Sequence, residues 1–217
     1  MTFEASKAAM RRNFDYRFAT KYFVGEGIDI GCGPDPISNY REFYPLMTGL
    51  RQWDQPDGDG MLLEGVPDES FDFVHSSHSL EHMTNPIISV DNWTRVLKRG
   101  GHMILLLPEE DMFEQGVWPS QYTNGDHLTS WTIFKDASWS PVSTNLLEFL
   151  QLFPDLEVLK IEKLDGTFLY GLPMCDQTRL PIGECAIEVV LRKRTQEELD
   201  AKGRLPTREE KMFTYKA

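Results

Sequence analysis

The chain has 217 residues, 41% of them hydrophobic, which fits one α/β domain with a packed core. Its formal net charge is −12 and its pI about 4.9, which excludes nucleic acid as the main partner, because phosphate contacts supply most of that affinity. Between Gln52 and Thr94 nine acids stand without a Lys or Arg, and Gly100 to Phe134 again lacks both. Where these segments face a ligand they favour a cationic one and repel a polyphosphate, although a solvated acidic surface accounts for most of the individual side chains. Cys32, Cys175 and Cys185 are odd in number and lack metal-ligand spacing, which points to a reducing cytoplasm. No apolar run approaches membrane-span length, and Met1 to Met10 lacks the apolar core of a signal peptide, so a cytoplasmic protein without a membrane partner is expected.

Residues 4–20 predict a helix, with Met10, Phe14, Phe18 and Tyr22 recurring one turn apart. Segment 1–22 is expected to cap the sheet. Gly27 to Ile30 reads as a buried strand that runs into a tight turn, Gly31-Cys32-Gly33-Pro34-Asp35-Pro36. Glycines in such a turn let the backbone approach a ligand, and in open α/β sheets ligands bind at the carboxyl ends of the strands. A dinucleotide fingerprint needs a third glycine where Pro36 stands, and Asp29 and Asp35 add negative charge where a pyrophosphate would sit. A ligand with a positive centre and no phosphate suits the turn better. Cys32 reads as a small packing residue.

Pro36 to Phe43 predicts a short helix and Met47 to Trp53 a second strand ending at Asp54. An acid about 20 residues after the turn can accept from both hydroxyls of a ribose, because a carboxylate is a bidentate acceptor. The path from Asp54 through Gln55-Pro56-Asp57-Gly58-Asp59-Gly60 to the strand-like Gly60 to Leu63 is too short for a full crossover helix. Pro67 to Val74 is a turn and a buried strand, followed by His75-Ser76-Ser77-His78 and Ser79-Leu80-Glu81-His82. Asn92 to Gly101 then leads into a strand over His102 to Leu107.

These motifs, in this order, resemble class I S-adenosylmethionine-dependent methyltransferases of the small-molecule, methyltransferase-11-like type: Asp29-x-Gly31-x-Gly33, then Val66-Pro67-Asp68-Glu69-Ser70-Phe71-Asp72-Phe73-Val74 with Leu80-Glu81-His82, then Asn92 to Gly101. The matched stretch runs from about Val24 to Pro108, with weaker agreement to Arg194. The resemblance implies an α/β, Rossmann-like three-layer sandwich with a seven-stranded, mostly parallel sheet whose last strand is antiparallel. It implies S-adenosylmethionine as cofactor, held by Asp29, Gly31, Cys32, Gly33, Asp54, Gln55, Asp59, Gly60 and Met61. Asp54 would take the ribose, Asp59 the adenine amino group and the Met61 N–H the ring, while Ser76 and Ser77 would meet the methionine part and Arg17 its carboxylate. One domain is expected over 1–194, with a compressed second crossover, a long loop after the fifth strand inserted at 109–145, and a polar tail at 195–217. The Asn/Asp-Pro-Pro-aromatic motif of base-modifying relatives is absent after the strand, which agrees with the charge argument.

Segment 109–145 leaves the strand end where a methyl group would be presented, so it is the expected substrate loop. Trp118, Tyr122 and Trp131 would supply flat walls, and Glu109, Asp126, His127 and His82 polar contacts, a composition that suits a sugar or another small polar ring. Pinning the loop to the core is the other role open to the aromatics. His127 and His78 are candidate general bases for a hydroxyl acceptor, whereas an amine acceptor needs none. Glu81-His82 with Asp126-His127 also has the residue types of a divalent-metal site, but nothing in the spacing demands one, and no metal is assigned. Leu146 to Phe153 predicts a helix, and Leu156 to Leu164 with Cys185 to Arg192 the last strand pair. The expected function is methyl transfer to a hydroxyl or amine of a small molecule, with a homodimer as a possible assembly. The alternatives are a non-catalytic S-adenosylmethionine-binding partner or sensor, and another transfer from the same cofactor, such as aminopropyl transfer.

Overall fold

The computed structural model describes residues 4–123, 125–179 and 183–202. Two helices, α1 (Glu4–Asn13) and α2 (Tyr16–Tyr22), precede β1 (Gly25–Ile30) and β2 (Met47–Trp53). Then come β3 (Phe71–Ser77), α3 (Pro86–Val96), β4 (Leu97–Pro108), α4 (Glu110–Phe113), β5 (Ser130–Thr132), β6 (Ser143–Asn145), α5 (Leu146–Leu150), β7 (Leu156–Leu164), β8 (Ala186–Lys193) and α6 (Gln196–Asp200).

The main sheet has the order β2-β1-β3-β4-β8-β7. Strands β2, β1, β3 and β4 pair in parallel, and β8 runs antiparallel to both neighbours, as expected for the end of a Rossmann-like methyltransferase sheet. Ile28, Ile30, Val74, Met103, Leu105, Val189 and Leu191 put one sheet face into the larger core, while Phe73, Ile104 and Val190 face the second core under α1 and α2. Strands buried on both faces read as continuous apolar runs, which is why Met103 to Leu107 is unbroken by charge.

Six strands replace the expected seven. The missing one is the edge piece at Gly60 to Leu63, which is a turn: Leu62 and Leu63 donate their N–H groups back to the Asp59 carbonyl at 3.2 and 3.0 Å. Neighbouring α3 holds this turn instead. Trp93 Nε1 donates to the Gly60 carbonyl at 2.8 Å, and the Arg95 guanidinium donates to the carbonyls of Val66, Leu62 and Leu63. Side-chain donors thus satisfy a buried loop that has no strand partner, and the crossover stays short.

The expected helix over 4–20 is two helices, because Asp15 caps the second: its carboxylate accepts from Phe18 N. Phe14 therefore falls in the break and is 91% exposed, while Phe18 is buried. The 109–145 insertion is not structureless; β5 and β6 form a small parallel pair, and Trp131 is buried against Phe149, with ring centroids 5.1 Å apart. The helix expected over Leu146 to Phe153 stops at Leu150. Residues 203–217, most of the tail, lie outside the described residues. Among the described residues no helix is long and apolar enough to cross a membrane.

Candidate functional site

The turn after β1 sits at the carboxyl edge of the sheet. Gly31 and Gly33 have φ of +67° and +51°, values that favour glycine, and a Cβ on Gly31 would stand 2.1 Å from Ser79 Oγ. Beneath the turn Asp29 is 2% exposed and spends both oxygens internally: Oδ2 accepts from Ile37 N at 2.8 Å, and Oδ1 lies 2.6 Å from Nδ1 of the fully buried His75. Asp29 thus braces the turn. His75 escaped sequence reading, although a histidine inside an apolar strand is a signal for a buried partner.

Two clefts meet at the turn and share Gly31 and His78. The larger, about 810 Å³, is lined by Trp53, Asp54, Gln55, Gly58, Asp59 and Gly60 on one side and by Ser79, His82, Met83 and Asp126 on the other. Its volume suits a nucleoside-sized ligand. The smaller, about 130 Å³, runs from Gly31, Cys32 and Gly33 under Glu4 and Ala5 of α1 to His75 and Ser77. Together they are lined by acids (Glu4, Asp29, Asp35, Asp54, Asp59 and Asp126) and by no Lys or Arg among the described residues. An acidic lining without Lys or Arg suits a cationic ligand.

Asp54 caps the turn after β2. Its carboxylate accepts from Gln55 N at 2.8 Å, and its own N–H donates to Asp57 Oδ2 at 3.0 Å. Asp59 Oδ1 accepts from Met61 N at 2.8 Å, so the N–H expected to meet an adenine ring is engaged by the neighbouring acid. Ser76 Oγ donates to the Ile30 carbonyl at 3.0 Å and serves the sheet. Ser77 Oγ, His78 Nε2 and Glu4 Oε2 are buried at the smaller cleft without a hydrogen-bond partner, polar atoms of the kind a bound ligand satisfies. Burial pushes the Glu4 carboxyl up to about 7 against the pull of Lys7. Burial likewise lifts the Cys32 thiol to about 11, helped by Asp29 and Asp54, so Cys32 is no nucleophile at neutral pH.

Arg17 lies apart from both clefts: its side chain is 82% exposed and faces Asp15 at 3.9 Å. The basic residues on the inner side, Arg11 and Arg12, are committed to Glu184 and Glu188.

Beyond His78 the floor of the larger cleft is a cluster of ionisable groups. Glu81 is fully buried. His78 Nδ1, His127 Nε2 and His82 Nε2 stand 3.7, 3.8 and 3.9 Å from its Oε1. His127 Nδ1 is 2.6 Å from Glu114 Oε1, and His82 Nδ1 donates to the Asp126 carbonyl at 3.0 Å. The insertion reaches this point through the Glu81 carbonyl, which accepts from Leu128 N and Thr129 N at 2.7 and 3.2 Å. Burial drives the His78 imidazolium down to about 3, so its ring is neutral at pH 7, and burial raises the Glu81 carboxyl. Burial would also lower His127, but the Glu114 hydrogen bond and the charge of Glu81 outweigh it.

Of the expected substrate residues, His82 and Asp126 line the larger cleft. Trp131 does not, because its ring is buried in the core. Glu109 caps α4 through Asp111 N and Met112 N and pairs with Lys163 at 3.1 Å. Tyr122 packs on Phe113, and Trp118 is half-buried outside both clefts. Glu114, whose only sequence signal is an acid in an aromatic loop, is the orienting partner that sequence reading missed.

Residues 48–105 match the family model described as a methyltransferase domain, a stretch that holds Asp54, Asp59, Ser76, His78 and the Glu81-His82 pair. Over these residues the chain is similar to enzymes of the methyltransferase-domain family. S-adenosylmethionine is the cofactor of such an enzyme. The fold agrees with solved structures. A proposed S-adenosylmethionine-dependent methyltransferase of Listeria monocytogenes is 14% identical over 88% of this chain and 100% of that one, with a TM-score of 0.53. An S-adenosylmethionine-dependent methyltransferase of Mesorhizobium loti is 14% identical over 82% and 96%, with a TM-score of 0.50. The YcgJ protein of Bacillus subtilis is 16% identical over 86% and 99%, also at 0.50. A search of curated proteins gives no significant match.

Proposed function

We propose that the protein transfers a methyl group from S-adenosylmethionine to a hydroxyl or amine of a small molecule, with a sugar or a secondary metabolite as the acceptor class. The observation that carries this reading is the pair of joined acidic clefts at the β1 turn. In this reading the larger cleft takes the nucleoside, with Asp54 accepting from the ribose hydroxyls and Asp59 at the adenine. The smaller cleft takes the methionine part, where Ser77 Oγ and Gly31 to Gly33 line it. The methyl group then points toward His78 and the Glu81 cluster, and the acceptor enters between His82 and Asp126.

Methyl transfer from a sulfonium is an in-line displacement whose leaving group the cofactor supplies, so the protein mainly positions and desolvates. His78 lines both clefts and is placed to take a proton from an acceptor hydroxyl. His127 stands one layer behind, turned toward Glu81. The small cleft end and the absence of Lys and Arg favour a small acceptor over nucleic acid.

The test is calorimetric titration with S-adenosylhomocysteine, followed by incubation with methyl-labelled cofactor and a panel of sugars, phenols and amines. One molecule bound per chain and label transferred to one acceptor class are expected. Binding without transfer across the panel would favour a sensor or partner subunit, and failure to bind would overturn the reading.

A further inference from the structure

Glu81 presents a problem of charge. Neither Oε1 nor Oε2 has a hydrogen-bond partner, although the side chain is fully buried. A buried carboxyl group without a hydrogen-bond partner is costly in either protonation state. The imidazole nitrogens of His78, His127 and His82 stand 3.7–3.9 Å from Oε1, beyond hydrogen-bond reach.

The histidines are held as ligands are held. The partner of His82 Nδ1 is a carbonyl and that of His127 Nδ1 is a carboxylate, both acceptors, so each ring donates its Nδ1–H and presents Nε2. A carboxylate or backbone carbonyl on the far nitrogen is the usual support of a metal-bound histidine. One ligand atom from each of Glu81, His82 and His127 lies within 4.8 Å of the other two, and the Nε2 atoms of His82 and His127 stand 3.9 and 3.8 Å from Glu81 Oε1. Two donors about 2.1 Å from one ion at a tetrahedral angle stand roughly 3.4 Å apart, so the separations of 3.8 and 3.9 Å fit an ion after small side-chain rotations.

We propose that Glu81, His82 and His127 form a site for one divalent cation of the zinc class at the floor of the cofactor cleft. Two imidazoles and one carboxylate suit a borderline cation and leave a coordination position open. His82 and Asp126 border the cleft, so that position faces the acceptor. The role of the ion rests on the methyltransferase reading; its binding does not. A bound hydroxyl is made more acidic. Its proton passes to water in the open cleft, its oxygen forms a bond to the methyl carbon, and the carbon–sulfur bond breaks with its electron pair on sulfur to give S-adenosylhomocysteine.

The experiment uses the full chain stripped with a chelator and dialysed. Zn²⁺ is titrated by calorimetry, and Co²⁺ is followed by its visible absorption. One equivalent per chain is expected, with tetrahedral-type Co²⁺ bands. His82→Ala and Glu81→Gln should each weaken Zn²⁺ binding at least a hundredfold, and Glu114→Gln about 10–100-fold through loss of the orienting bond. His82 is 36% exposed, so its substitution decides the matter if Glu81→Gln fails to fold. No stoichiometric Zn²⁺ binding by the wild type, or binding unchanged in His82→Ala, would overturn the site. Titrating the stripped wild type with S-adenosylhomocysteine separates the two readings: metal bound without cofactor sinks the methyltransferase reading alone, and cofactor bound without metal sinks the metal site alone.

Discussion

Asp29 Oδ1 and His75 Nδ1 meet at 2.6 Å beneath the glycine turn, tying β1 to β3 at the point where the chain leaves the sheet. Both side chains are buried, and Asp29 also holds Ile37 N. Asp29→Ala should therefore cost about 3 kcal/mol of stability, because it leaves a buried imidazole and a buried N–H unpaired. Asp29→Asn keeps an acceptor and should cost about 1 kcal/mol. Urea unfolding checks both, and equal losses in the two variants would show that a neutral acceptor cannot replace the carboxylate.

Asp54 both caps its turn and faces the larger cleft. Asp54→Ala should weaken S-adenosylhomocysteine binding by about 1–3 kcal/mol through unpaired ribose hydroxyls. Asp57→Ala removes only the return half of the capping box and should cost a few tenths of that affinity at most. Calorimetry that finds the two variants alike would assign the effect to the turn and not to the ligand.

The two glycines of the turn separate strain from clash. Gly33→Ala meets no atom within 4 Å of the new Cβ and carries only the left-handed backbone penalty, about 1–2 kcal/mol. Gly31→Ala carries the same penalty and also drives Cβ against Ser79 Oγ and Cβ, 2.1 and 2.6 Å away. Thermal unfolding should rank Gly31→Ala clearly below Gly33→Ala, and Gly31→Ala should lose cofactor binding as the turn shifts.

Glu188 is fully buried between Arg11, Arg12 and Lys160, with contacts of 2.8 Å to Arg11 Nη2, 3.0 Å to Arg12 Nε and 2.8 Å to Lys160 Nζ. Burial alone would raise its carboxyl, but the charges and hydrogen bonds of Arg12, Arg11 and Lys160 outweigh it and hold it well below the usual carboxylate range. A depressed folded pKa contributes stability that is present above the unfolded value near 4.5 and lost as the pH falls below it. The urea midpoint should therefore drop between about pH 5 and pH 3. Glu188→Gln should flatten that slope while lowering stability at pH 7 by about 3 kcal/mol, since the buried Arg12 guanidinium loses its charge partner while Arg11 keeps Glu184.

Local chemistry was legible from sequence wherever one short segment carries the signal. Ile28 and Ile30 before Gly31-x-Gly33 marked a strand ending in a turn, and Asp54 marked the end of the next strand, because alternation, glycine and a terminal acid act over a few residues. The short path after Asp54 marked the compressed crossover. The extra strand at Gly60 to Leu63 was not foreseeable as a turn, since the donors that stabilise it, Trp93 and Arg95, come from a helix some thirty residues on. Arg17 and Trp131 were misplaced for a related reason: the cap at Asp15 starts a new helix on which Arg17 is exposed, and Trp131 packs inward against Phe149.

What the sequence determined by itself is the chemistry of the turn: glycines at Gly31 and Gly33, no third glycine at Pro36, and a long run of acids without Lys or Arg. These depend on residue type and short spacing alone. Only the tertiary structure decided that His127, from the insertion, stands with Glu81 and His82, from the end of β3, around a carboxylate with no donor. Glu81 and His127 are far apart along the chain, and what joins them is the hydrogen bonding of Leu128 and Thr129 to the Glu81 carbonyl. Backbone pairing of that kind leaves no trace in residue identity, since any side chain can accompany it.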